Sequence, residues 1–524
     1  MRARDSLRRN DLTMKRNELL SVPVAVFGAA RSGIASAKLL LRQGNSRVRV
    51  LDEVPGGESA RVRIAAALAA EDLHAVYLGR EECMKALEGV GVMVKSPGIP
   101  QDNPVVLCAR ERGIRIISEI ELAAAFAHPK AKIVAVTGTN GKTTTTAWLA
   151  HILKGAGLNA VACGNIGEAW ANVVDRPEFQ SENAAFALEV SSFQLEDIED
   201  FSPHVAVLTN LAPDHLDRYA DYAAYVAAKR NILRAMPPQA ALVWNWDNPD
   251  SHAFAQNILP RSCPFSAHTD PQAAESAWVH NGVMMLRCSG GEQRLAEVST
   301  LPLPGRHNLE NALAAALAAA LAGVETDAIR RGLATFQGVE HRIEFCGELG
   351  GVRFYNDSKA TNLDSVEKAL QSFADPIVLI AGGRDKKSDY ATLSDLVRTR
   401  VKALVTIGEA APLIEAAWGK LVPTQRATTM EDAVRCAAEL AAAGIRVVVF
   451  EAAKVLGGRA RRVEIDGVRL DNGLHVLLGA YRETLRLIER VRPPNEAAGL
   501  RRLPLTLRIE PGFRLRAARL PAPL

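Results

Sequence analysis

The segment 132–153, KIVAVTGTNGKTTTTAWLAHIL, decides the fold. The apolar, β-branched residues at 133–136 predict a buried strand, and the residues from Lys142 onward predict a helix. The loop 138–144 between them would bring backbone N–H groups and the positive end of a helix towards a phosphate. Lys142 can then reach the β- and γ-phosphates of a nucleotide, and Thr143 can bind Mg²⁺. A strand, a phosphate loop and a helix in this order predict an α/β nucleotide-binding domain, with a loop shorter than the general G-x-x-x-x-G-K-[ST] pattern.

The composition is that of a globular protein with several domains. The chain has 524 residues, of which 48% are hydrophobic and 23% charged, and this length suggests about three domains. No segment is long and apolar enough to span a membrane, and the first 20 residues are charged throughout, so we expect a cytoplasmic protein without a membrane partner. The seven cysteines form no C-x-x-C pair, which argues against a zinc site or a disulfide framework.

Positive charge is concentrated at the end of the chain. Residues 445–524 hold 16 Arg and Lys against 8 Asp and Glu, whereas the whole chain carries a formal charge of only +4. These arginines alternate with Leu, Val and Pro, and they are not interleaved with a platform of aromatic residues such as a base-stacking surface would require. The pattern favours a solvated or partly folded face over a nucleic-acid site, so no nucleic-acid partner is expected.

Two segments before the phosphate loop predict a first parallel sheet. Residues 22–53 give a strand, a glycine turn, a helix and a second strand that ends at Asp52, which is the start of a βαβ unit. The turn from Gly28 to Gly33 has only the first and last glycines of G-x-G-x-x-G, so a plain strand-to-helix turn explains it equally well. A later strand delivers Ser96 and Gly98 to its carboxyl end, where open α/β sheets bind ligands.

The alternation of strands and helices continues to about residue 450 and predicts three consecutive α/β domains. They are a Rossmann-like N-terminal domain, a central P-loop ATPase domain and a Rossmann-like C-terminal domain. Polar residues at predicted strand ends, Asn165, Glu189 and His215, belong to the central one. The predicted boundaries are 1–21 for an N-terminal extension, 22–128, 129–338 and 339–455 for the three domains, and 456–524 for an atypical basic tail.

Eight short motifs in this order resemble the muramyl ligase family: TGTNGKTT, GNIG, LEVSSFQLE, TNLAPDHLDRY, AAKR, GRHNLENALAA, HRIEF and NDSKATN. Together with SPGIP they are most similar to the D-glutamate-adding members of that family, over about residues 22–444. The resemblance implies a ligase that uses ATP and Mg²⁺ to join D-glutamate to UDP-N-acetylmuramoyl-L-alanine through an acyl phosphate, in peptidoglycan precursor synthesis. A monomer is expected.

The resemblance also implies the roles of individual residues. Those implied to bind ATP are Gly138, Thr139, Asn140, Gly141, Lys142, Thr143, Thr144, Asn308, Asn311, Arg342 and Asp357. The implied catalytic residues are Lys142, Glu189, His215, Lys229 and Lys359. Mg²⁺ would be held by Thr143, Glu189, His215 and a carbamylated Lys229. The UDP-substrate would contact Asp52, Ser96, Gly98, Asn165 and Gln194, and glutamate would contact Thr361 and Lys386.

Three of these residues have a simpler interpretation from the residue pattern alone. Lys229 would be a solvated helix lysine, because an isolated lysine on a helix is usually exposed. His215 would be a hydrogen-bonded loop residue, because one histidine is weak support for a metal site. Lys386 lies in the charged turn RDKKSDY, where any lysine would be solvated, and Lys387 competes for the same role.

From about residue 438 the chain resembles another family, the FAD-binding amine-oxidase-like proteins, most closely the hydroxysqualene dehydroxylases. The segment AAELAAAGIRVVVFEAAKVLGGRARR carries this resemblance, with Glu451 as the ribose ligand and residues 457–459 as the phosphate turn. The first strand and the G-x-G-x-x-G loop of such a domain are missing, so no bound FAD is expected. We expect a hairpin across residues 466–467 and little order after about residue 490.

Glu451 also stands where the ligase family has a serine loop. A carboxylate there would repel the carboxylates of glutamate, which predicts weaker glutamate binding. The alternative function is therefore a catalytically impaired hybrid that binds ATP and the UDP-sugar without efficient turnover.

Overall fold

The computed structural model describes the larger part of the chain. The described residues are 16–53, 64, 76–216, 218–303, 305–339, 343–349, 352–358, 360, 363–373, 375–383, 388–442, 462–465, 468–471, 506–509 and 513–516. The predicted site residues Arg342, Lys359, Thr361 and Lys386, and the tail residues 451 and 457–459, lie outside them. No helix in the described part of the chain is long and apolar enough to cross a membrane.

The first sheet is parallel and has five strands in the order β3-β2-β1-β4-β5. The strands are β1 Val24–Phe27, β2 Val48–Asp52, β3 Val76–Leu78, β4 Val92–Lys95 and β5 Arg115–Ser118. The helices around it are 16–21, Arg31–Arg42, Arg80–Lys85, Pro104–Glu111 and Glu119–Ala124. Its strands are buried on both faces, as parallel strands covered by helices require. The order 3-2-1-4-5 is that of a Rossmann-like sheet, as predicted.

The second sheet has nine strands in the order β14-β13-β12-β11-β10-β9-β6-β8-β7. The strands are β6 Lys132–Thr137, β7 Asn159–Gly164, β8 Ala184–Glu189, β9 Val205–Leu208, β10 Ala241–Asn245, β11 Arg261–Ser266, β12 Ser276–His280, β13 Val283–Cys288 and β14 Gly291–Glu297. Strands β6 to β12 pair in parallel, and β12, β13 and β14 form an antiparallel edge. The strand β6 lies inside the sheet, so its carboxyl end is flanked by those of β8 and β9.

Several helices cover the second sheet. They are Lys142–Gly155, Ser192–Leu195, Tyr222–Arg230, Pro249–Phe254, Arg306–Leu321 and Thr326–Thr335, with 3-10 turns at Trp170–Asn172, Pro177–Phe179, Asn231–Leu233 and Val298–Thr300. The alanine-rich helix Arg306–Leu321 is buried along most of its length, since small side chains allow close approach to its neighbours. The helix Thr326–Thr335 packs closely on Lys142–Gly155, where Trp148 Nε1 donates to the carbonyl of Gly332 at 3.2 Å.

The third part of the chain has smaller sheets. An antiparallel pair is formed by β15 Glu344–Leu349 and β16 Val352–Asn356, and a parallel sheet by β17 Ile377–Gly382, β18 Val401–Ile407 and β19 Thr424–Arg426. The helices are Leu363–Gln371, Ser394–Arg400, Ala411–Trp418 and Met430–Ala442, with a 3-10 turn at Tyr390–Leu393. Parallel strands alternating with helices agree with the predicted third α/β domain.

Two antiparallel pairs follow in the tail. Arg462–Ile465 pairs with Val468–Asp471, so the hairpin predicted across residues 466–467 is confirmed. Thr506–Ile509 pairs with Phe513–Arg516. All other residues after 490 lie outside the described part of the chain, and the expectation of little order there stays a prediction.

The chain divides into two compact units. One is Met1–Glu340 with Gln371–Phe373, and the other is His341–Leu370 with Ala374–Leu524. The first unit therefore contains both the first and the second sheet. The finer boundary predicted at residue 128 stays a prediction.

Buried carboxylates link the first two sheets. Glu121, just after β5, accepts backbone N–H groups from Glu199, Asp200 and Phe201 at 2.9–3.0 Å. Glu119 is 1% exposed and accepts the N–H of Ala171 through Oε1 at 2.6 Å. Burial raises the pKa of both carboxyls, that of Glu119 to about 7. Hydrogen bonds from residues 171 and 199–201, in segments that connect strands of the second sheet, therefore satisfy the carboxylate of Glu121 and one oxygen of Glu119.

A buried lysine reinforces this junction. Lys95, at the end of β4, places Nζ 3.0 Å from Asp197 Oδ2 and 3.7 Å from Glu196 Oε2, and it donates to the carbonyl of Ile99. Gln101 Nε2 donates to the same two carboxylates. An ammonium without contact with water requires such partners, because the cost of removing it from water is several kcal/mol.

Candidate active site

The phosphate loop is built as the sequence predicts, between β6 and the helix Lys142–Gly155. Gly138 and Gly141 have φ values of +138° and +82°, which glycine alone adopts without strain. A side chain at Gly138 would overlap Thr209, and one at Gly141 would overlap Asn311. Lys142 Nζ lies over the loop and donates to the carbonyls of Gly138 and Thr139 at 2.9 and 2.6 Å. The loop therefore has the glycine conformations that a phosphate loop requires, and its role in binding ATP stays a prediction.

Asn308 and Asn311 lie close to this loop, although 164 or more residues separate them from it along the chain. Both are buried on the helix Arg306–Leu321. Asn311 Oδ1 accepts the hydroxyl of Thr145 at 3.1 Å, and its Nδ2 donates to Asn308 Oδ1 at 3.4 Å. The structure therefore brings together the two parts of the predicted ATP site that belong to the second sheet.

Glu189 ends β8 beside the loop strand and is 3% exposed. Its Oε1 accepts Asn165 Nδ2 at 2.7 Å, but its Oε2 has no hydrogen-bond partner in the described part of the chain. A buried carboxylate oxygen without a partner is costly unless a cation or donor completes it. Carboxylate and hydroxyl oxygens are the ligands that Mg²⁺ prefers, so Glu189 and the nearby Thr143 fit this ion.

Lys229 lies in the helix Tyr222–Arg230 and is 1% exposed. Its Nζ donates to the carbonyl of Gly138 at 2.9 Å and lies 4.7 Å from the ring centroid of Tyr225. Burial, with the neighbouring charge of Lys142, holds the pKa of Lys229 well below its ordinary value. The interpretation of Lys229 as a solvated lysine, which the residue pattern alone favoured, is therefore wrong.

His215 lies in the loop after β9 and has a φ of +55°, an uncommon conformation for a residue with a side chain. Its ring centroid is 4.9 Å from that of Phe193 and 6.3 Å from that of Tyr225. Its Nε2 is 3.7 Å from Asp214 Oδ2. The tyrosine thus contacts both His215 and Lys229, the two residues predicted to share a metal ion.

Sequence analysis missed Tyr225. The residue is buried, and its hydroxyl is 3.0 Å from the hydroxyl of Thr139 in the phosphate loop. The available signal was its position one helical turn before Lys229, which puts both side chains on one face of the helix.

No group of three His, Cys, Asp or Glu side chains with metal-binding geometry occurs among the described residues. The ligands predicted for Mg²⁺ do not form such a group, because they are a carboxylate, a hydroxyl, an imidazole and a lysine that becomes anionic only when carbamylated.

The residues predicted to contact the UDP-substrate lie at strand ends. Asp52 Oδ2 accepts the N–H of Ala29 in the turn after β1, at 2.6 Å, and Ser96 Oγ donates to the carbonyl of Gly28 at 2.9 Å. Gly98 follows in the same loop as Ser96. These three positions therefore surround the first strand-to-helix turn, at the carboxyl edge where a ligand is expected.

The other two predicted UDP-substrate residues have structural partners in the second sheet. Asn165 donates to Glu189, as above. Gln194 Oε1 accepts the N–H and the hydroxyl of Ser191, and completes a capping box at the start of the helix Ser192–Leu195. Local capping accounts for this oxygen, and the role of Gln194 towards a ligand stays a prediction.

In the second compact unit, Asp357 is buried and accepts the N–H of Ile343 through Oδ1 at 3.2 Å. The remaining predicted residues of that unit, Arg342, Lys359, Thr361 and Lys386, lie outside the described residues, so their roles stay predictions.

Comparison with known families gives three matches. The Mur ligase middle domain matches residues 136–319, and the Mur ligase glutamate ligase domain matches residues 341–452. The flavin containing amine oxidoreductase family matches residues 435–502. The last two matches overlap at 435–452, around the position where sequence analysis places the change from one resemblance to the other.

Individual relatives extend over most of the chain. A curated protein from Geotalea daltonii named UDP-N-acetylmuramoylalanine--D-glutamate ligase is 42% identical over 437 residues, which are 83% of this chain and 93% of that protein. A protein with the same name from Acidobacterium capsulatum is 41% identical over 437 residues, covering 83% of this chain and 92% of its own length.

Solved structures agree on the fold. MurF from Acinetobacter baumannii superposes with a TM-score of 0.57 at 18% identity, and the match covers 84% of this chain and 95% of that one. The phosphate loop, the order of the sheets and the relatives at about 40% identity lead to one conclusion. The chain belongs to the Mur ligase family of ATP-dependent peptide ligases.

Proposed function

We propose that this chain joins D-glutamate to UDP-N-acetylmuramoyl-L-alanine at the expense of ATP, as the names of its relatives suggest. One observation carries the proposal: Glu189 Oε2, which has no hydrogen-bond partner among the described residues, lies at the end of the strand next to the phosphate-loop strand. This is where a ligase needs a metal ion for the triphosphate of ATP. Mur ligases in general use ATP and Mg²⁺.

The reaction needs two displacement steps. A carboxylate oxygen of the acceptor attacks the γ-phosphorus, the bond to the β-phosphate oxygen breaks, and ADP leaves. The amine of glutamate then attacks the acyl carbon, inorganic phosphate leaves and the amine loses a proton. Negative charge develops on phosphate oxygens in both steps, so electrostatic stabilisation and alignment provide most of the catalysis.

The residues around the loop are suited to these steps. Lys142 and the backbone N–H groups at the start of the helix Lys142–Gly155 would stabilise the phosphate charge, whereas the N–H groups of Thr139 and Asn140 donate to Asn210. Glu189, Thr143, His215 and Lys229 would hold Mg²⁺, which when bound neutralises and orients the triphosphate. Asp52, Ser96 and Gly98 would hold the UDP-substrate at the edge of the first sheet.

Lys229 would act as a carbamate. Burial lowers the pKa of this amine and so favours its neutral form, whose lone pair can attack the carbon of CO₂. An N–C bond forms, one N–H proton goes to solvent, and the product is an anion. The change from a cation to an anion supplies the oxygen ligands that the amine lacks.

The proposal is tested by measuring phosphate release by the purified chain with ATP and Mg²⁺. We expect release that depends on both D-glutamate and UDP-N-acetylmuramoyl-L-alanine, and little release with L-glutamate. Binding of ATP and the UDP-substrate without turnover would contradict the proposal and support an impaired hybrid instead.

The hybrid is the second candidate function, because the glutamate ligase and amine oxidoreductase matches overlap at 435–452. If the hybrid is impaired through Glu451, the change Glu451→Ser should lower the KM for D-glutamate. Replacement of residues 445–524 by the corresponding segment of the Geotalea daltonii relative should lower it further. An unchanged KM in both proteins would exclude this account.

A cytoplasmic location, a monomeric state and the absence of FAD belong to the same proposal. ATP and UDP-linked sugars are cytoplasmic compounds, and no G-x-G-x-x-G sequence stands at the start of the family match at 435–502 to hold the pyrophosphate of FAD. We expect a purified protein that elutes as a monomer and has no flavin absorbance band. Such a band would contradict the prediction.

A further inference from the structure

Arg218 joins the loop that carries Ser96 and Gly98 to the loop that carries His215. Its guanidinium donates to the carbonyl of Gly98 at 3.2 Å and reaches that of Pro97 at 3.5 Å. Its backbone N–H donates to the carbonyl of His215 at 2.9 Å. One residue therefore holds the ends of both loops, and both loops belong to the same compact unit.

Phe193 fixes the orientation of this guanidinium. The guanidinium carbon of Arg218 lies 4.6 Å from the centroid of the Phe193 ring, a cation–π distance. The same ring contacts His215 at 4.9 Å and stacks on Tyr219 at 5.6 Å with an interplanar angle of 8°. The arginine, the histidine and the tyrosine thus share one aromatic surface, so a shift of the arginine would be transmitted to the others.

A second connection runs parallel to the first. Tyr219 donates its hydroxyl to Glu196 Oε1 at 2.7 Å, and Gln101 Nε2 donates to Glu196 Oε2 at 2.7 Å. Gln101 follows Gly98 in the chain by three residues, and Tyr219 follows Arg218 directly. Two consecutive residues of the His215 loop are therefore tied to one segment of the first sheet.

We propose that Arg218 is a positioning residue that sets the distance between the bound UDP-substrate and the metal-binding loop. The inference rests on the proposed function, in which Ser96 and Gly98 hold the UDP-substrate and His215 holds Mg²⁺. The acceptor carboxylate must then lie in line with the γ-phosphate, and a displacement of about 1 Å can cost about 10²-fold in rate. Arg218 touches no reacting atom and acts through the two loops.

The test compares Arg218→Ala and Arg218→Lys with the wild-type chain. For Arg218→Ala we expect kcat to fall by about 10²-fold. The Kd values for the UDP-substrate and for Mg²⁺ with a non-hydrolysable ATP analogue should change by less than about 3-fold, because Arg218 would contact neither. Lysine keeps the charge but lacks the planar pair of donors, so Arg218→Lys should be intermediate.

Two further measurements separate positioning from folding. Methylguanidinium added to Arg218→Ala should restore part of kcat by occupying the space between Phe193 and the carbonyls of residues 97 and 98. Amide hydrogen exchange should increase at residues 96–99 and 215–219 without a matching change in Tm. Arg287→Ala is the matched control, since Arg287 lies 4.4 Å over the ring of Trp278 on the antiparallel edge, and it should leave kcat unchanged.

An unchanged kcat and unchanged exchange in Arg218→Ala would overturn the inference. The inference would also be overturned if the loss of kcat were accompanied by a matching fall in Tm and methylguanidinium restored no activity. If the wild-type chain itself shows no glutamate-dependent phosphate release, the proposed function is what fails. The exchange at residues 96–99 then still decides whether Arg218 holds this loop.

Discussion

Lys229 shows how burial changes the chemistry of a single residue. In water its amine would be protonated and inert towards CO₂. In the folded protein, burial and the nearby charge of Lys142 lower the pKa of this amine. We expect ¹³C-labelled bicarbonate to give a carbamate resonance in the NMR spectrum of the wild-type protein, and no such resonance in Lys229→Arg. A resonance of equal intensity in Lys229→Arg would assign the carbamate to another amine.

Glu189 gives a second prediction at this scale. The change Glu189→Gln keeps the oxygen that accepts Asn165 Nδ2 but removes the negative charge of the unpartnered oxygen. We expect kcat to fall by about 10²-fold or more, and the Mg²⁺ concentration for half-maximal rate to rise. Calorimetric titration of Mg²⁺ in the presence of an ATP analogue provides the check. An unchanged Mg²⁺ affinity would remove Glu189 from the ligand set.

Individual residues also show what sequence analysis can and cannot predict. The phosphate loop could be predicted because its residues are contiguous and glycine is required at fixed positions. Tyr225 and Arg218 were not predicted, because their contacts with Thr139 and Gly98 join residues 86 and 120 positions apart, although the spacing of Tyr225 from Lys229 offered a local signal for the tyrosine. The burial of Lys229 likewise depends on how the helix Tyr222–Arg230 packs, and the residues next to Lys229 in the sequence do not reveal that it is buried.

At the scale of elements, a close contact joins two helices that cover the second sheet, Lys142–Gly155 and Thr326–Thr335. Alanine at Gly332 would place its Cβ 2.6 Å from Ile152 Cγ1 and 3.0 Å from Ile152 Cα, so the helix Thr326–Thr335 would have to move away. We expect Gly332→Ala to destabilise the protein by about 1–3 kcal/mol, measured as a lower Tm.

A matched control lies on the partner helix. A side chain at Gly155 would meet no atom within 4 Å, and alanine is favoured over glycine in a helix, so Gly155→Ala should leave Tm unchanged or raise it slightly. Equal losses of Tm in the two variants would show that close packing of the helices does not explain the effect.

At the scale of the whole molecule, Glu119 makes stability depend on pH. Its pKa is about 7 in the folded protein against an ordinary value of 4.5, because burial disfavours the charged form. Below pH 4.5 the Glu119 carboxyl is protonated in both the folded and the unfolded protein, so its full contribution to stability is present. As the pH rises towards 7 the unfolded chain releases the proton first, so up to about 3 kcal/mol of stability is lost.

The change Glu119→Gln tests this dependence. The neutral amide does not titrate, so the Tm of Glu119→Gln relative to wild type should increase between pH 5 and pH 8. Above pH 7 the variant should be the more stable protein. A difference in Tm that stays constant with pH would contradict the raised pKa of Glu119.

The prediction of α/β sheets agrees with the structure, but it gives no sign that the first and second sheets belong to one compact unit. Alternating strands and helices indicate the sheets, because that pattern is local. The buried contacts of Glu119, Glu121 and Lys95 join residues about 50 to 100 positions apart, and no local pattern reveals them. The tail is the opposite case, since its resemblance to the amine-oxidase-like family could be recognised from sequence.

The contacts of Glu119, Glu121 and Lys95 with residues of the second sheet limit where this chain can be divided into fragments that fold independently. A fragment ending at residue 128 would keep these three ionisable side chains and lose the groups that compensate them, so it should fold poorly by itself. A swap of the first sheet between related enzymes should fail unless the segment around residues 196–201 is exchanged with it. The smallest piece that could be transplanted as a module therefore extends to about residue 340, and includes both the UDP-substrate edge and the phosphate loop.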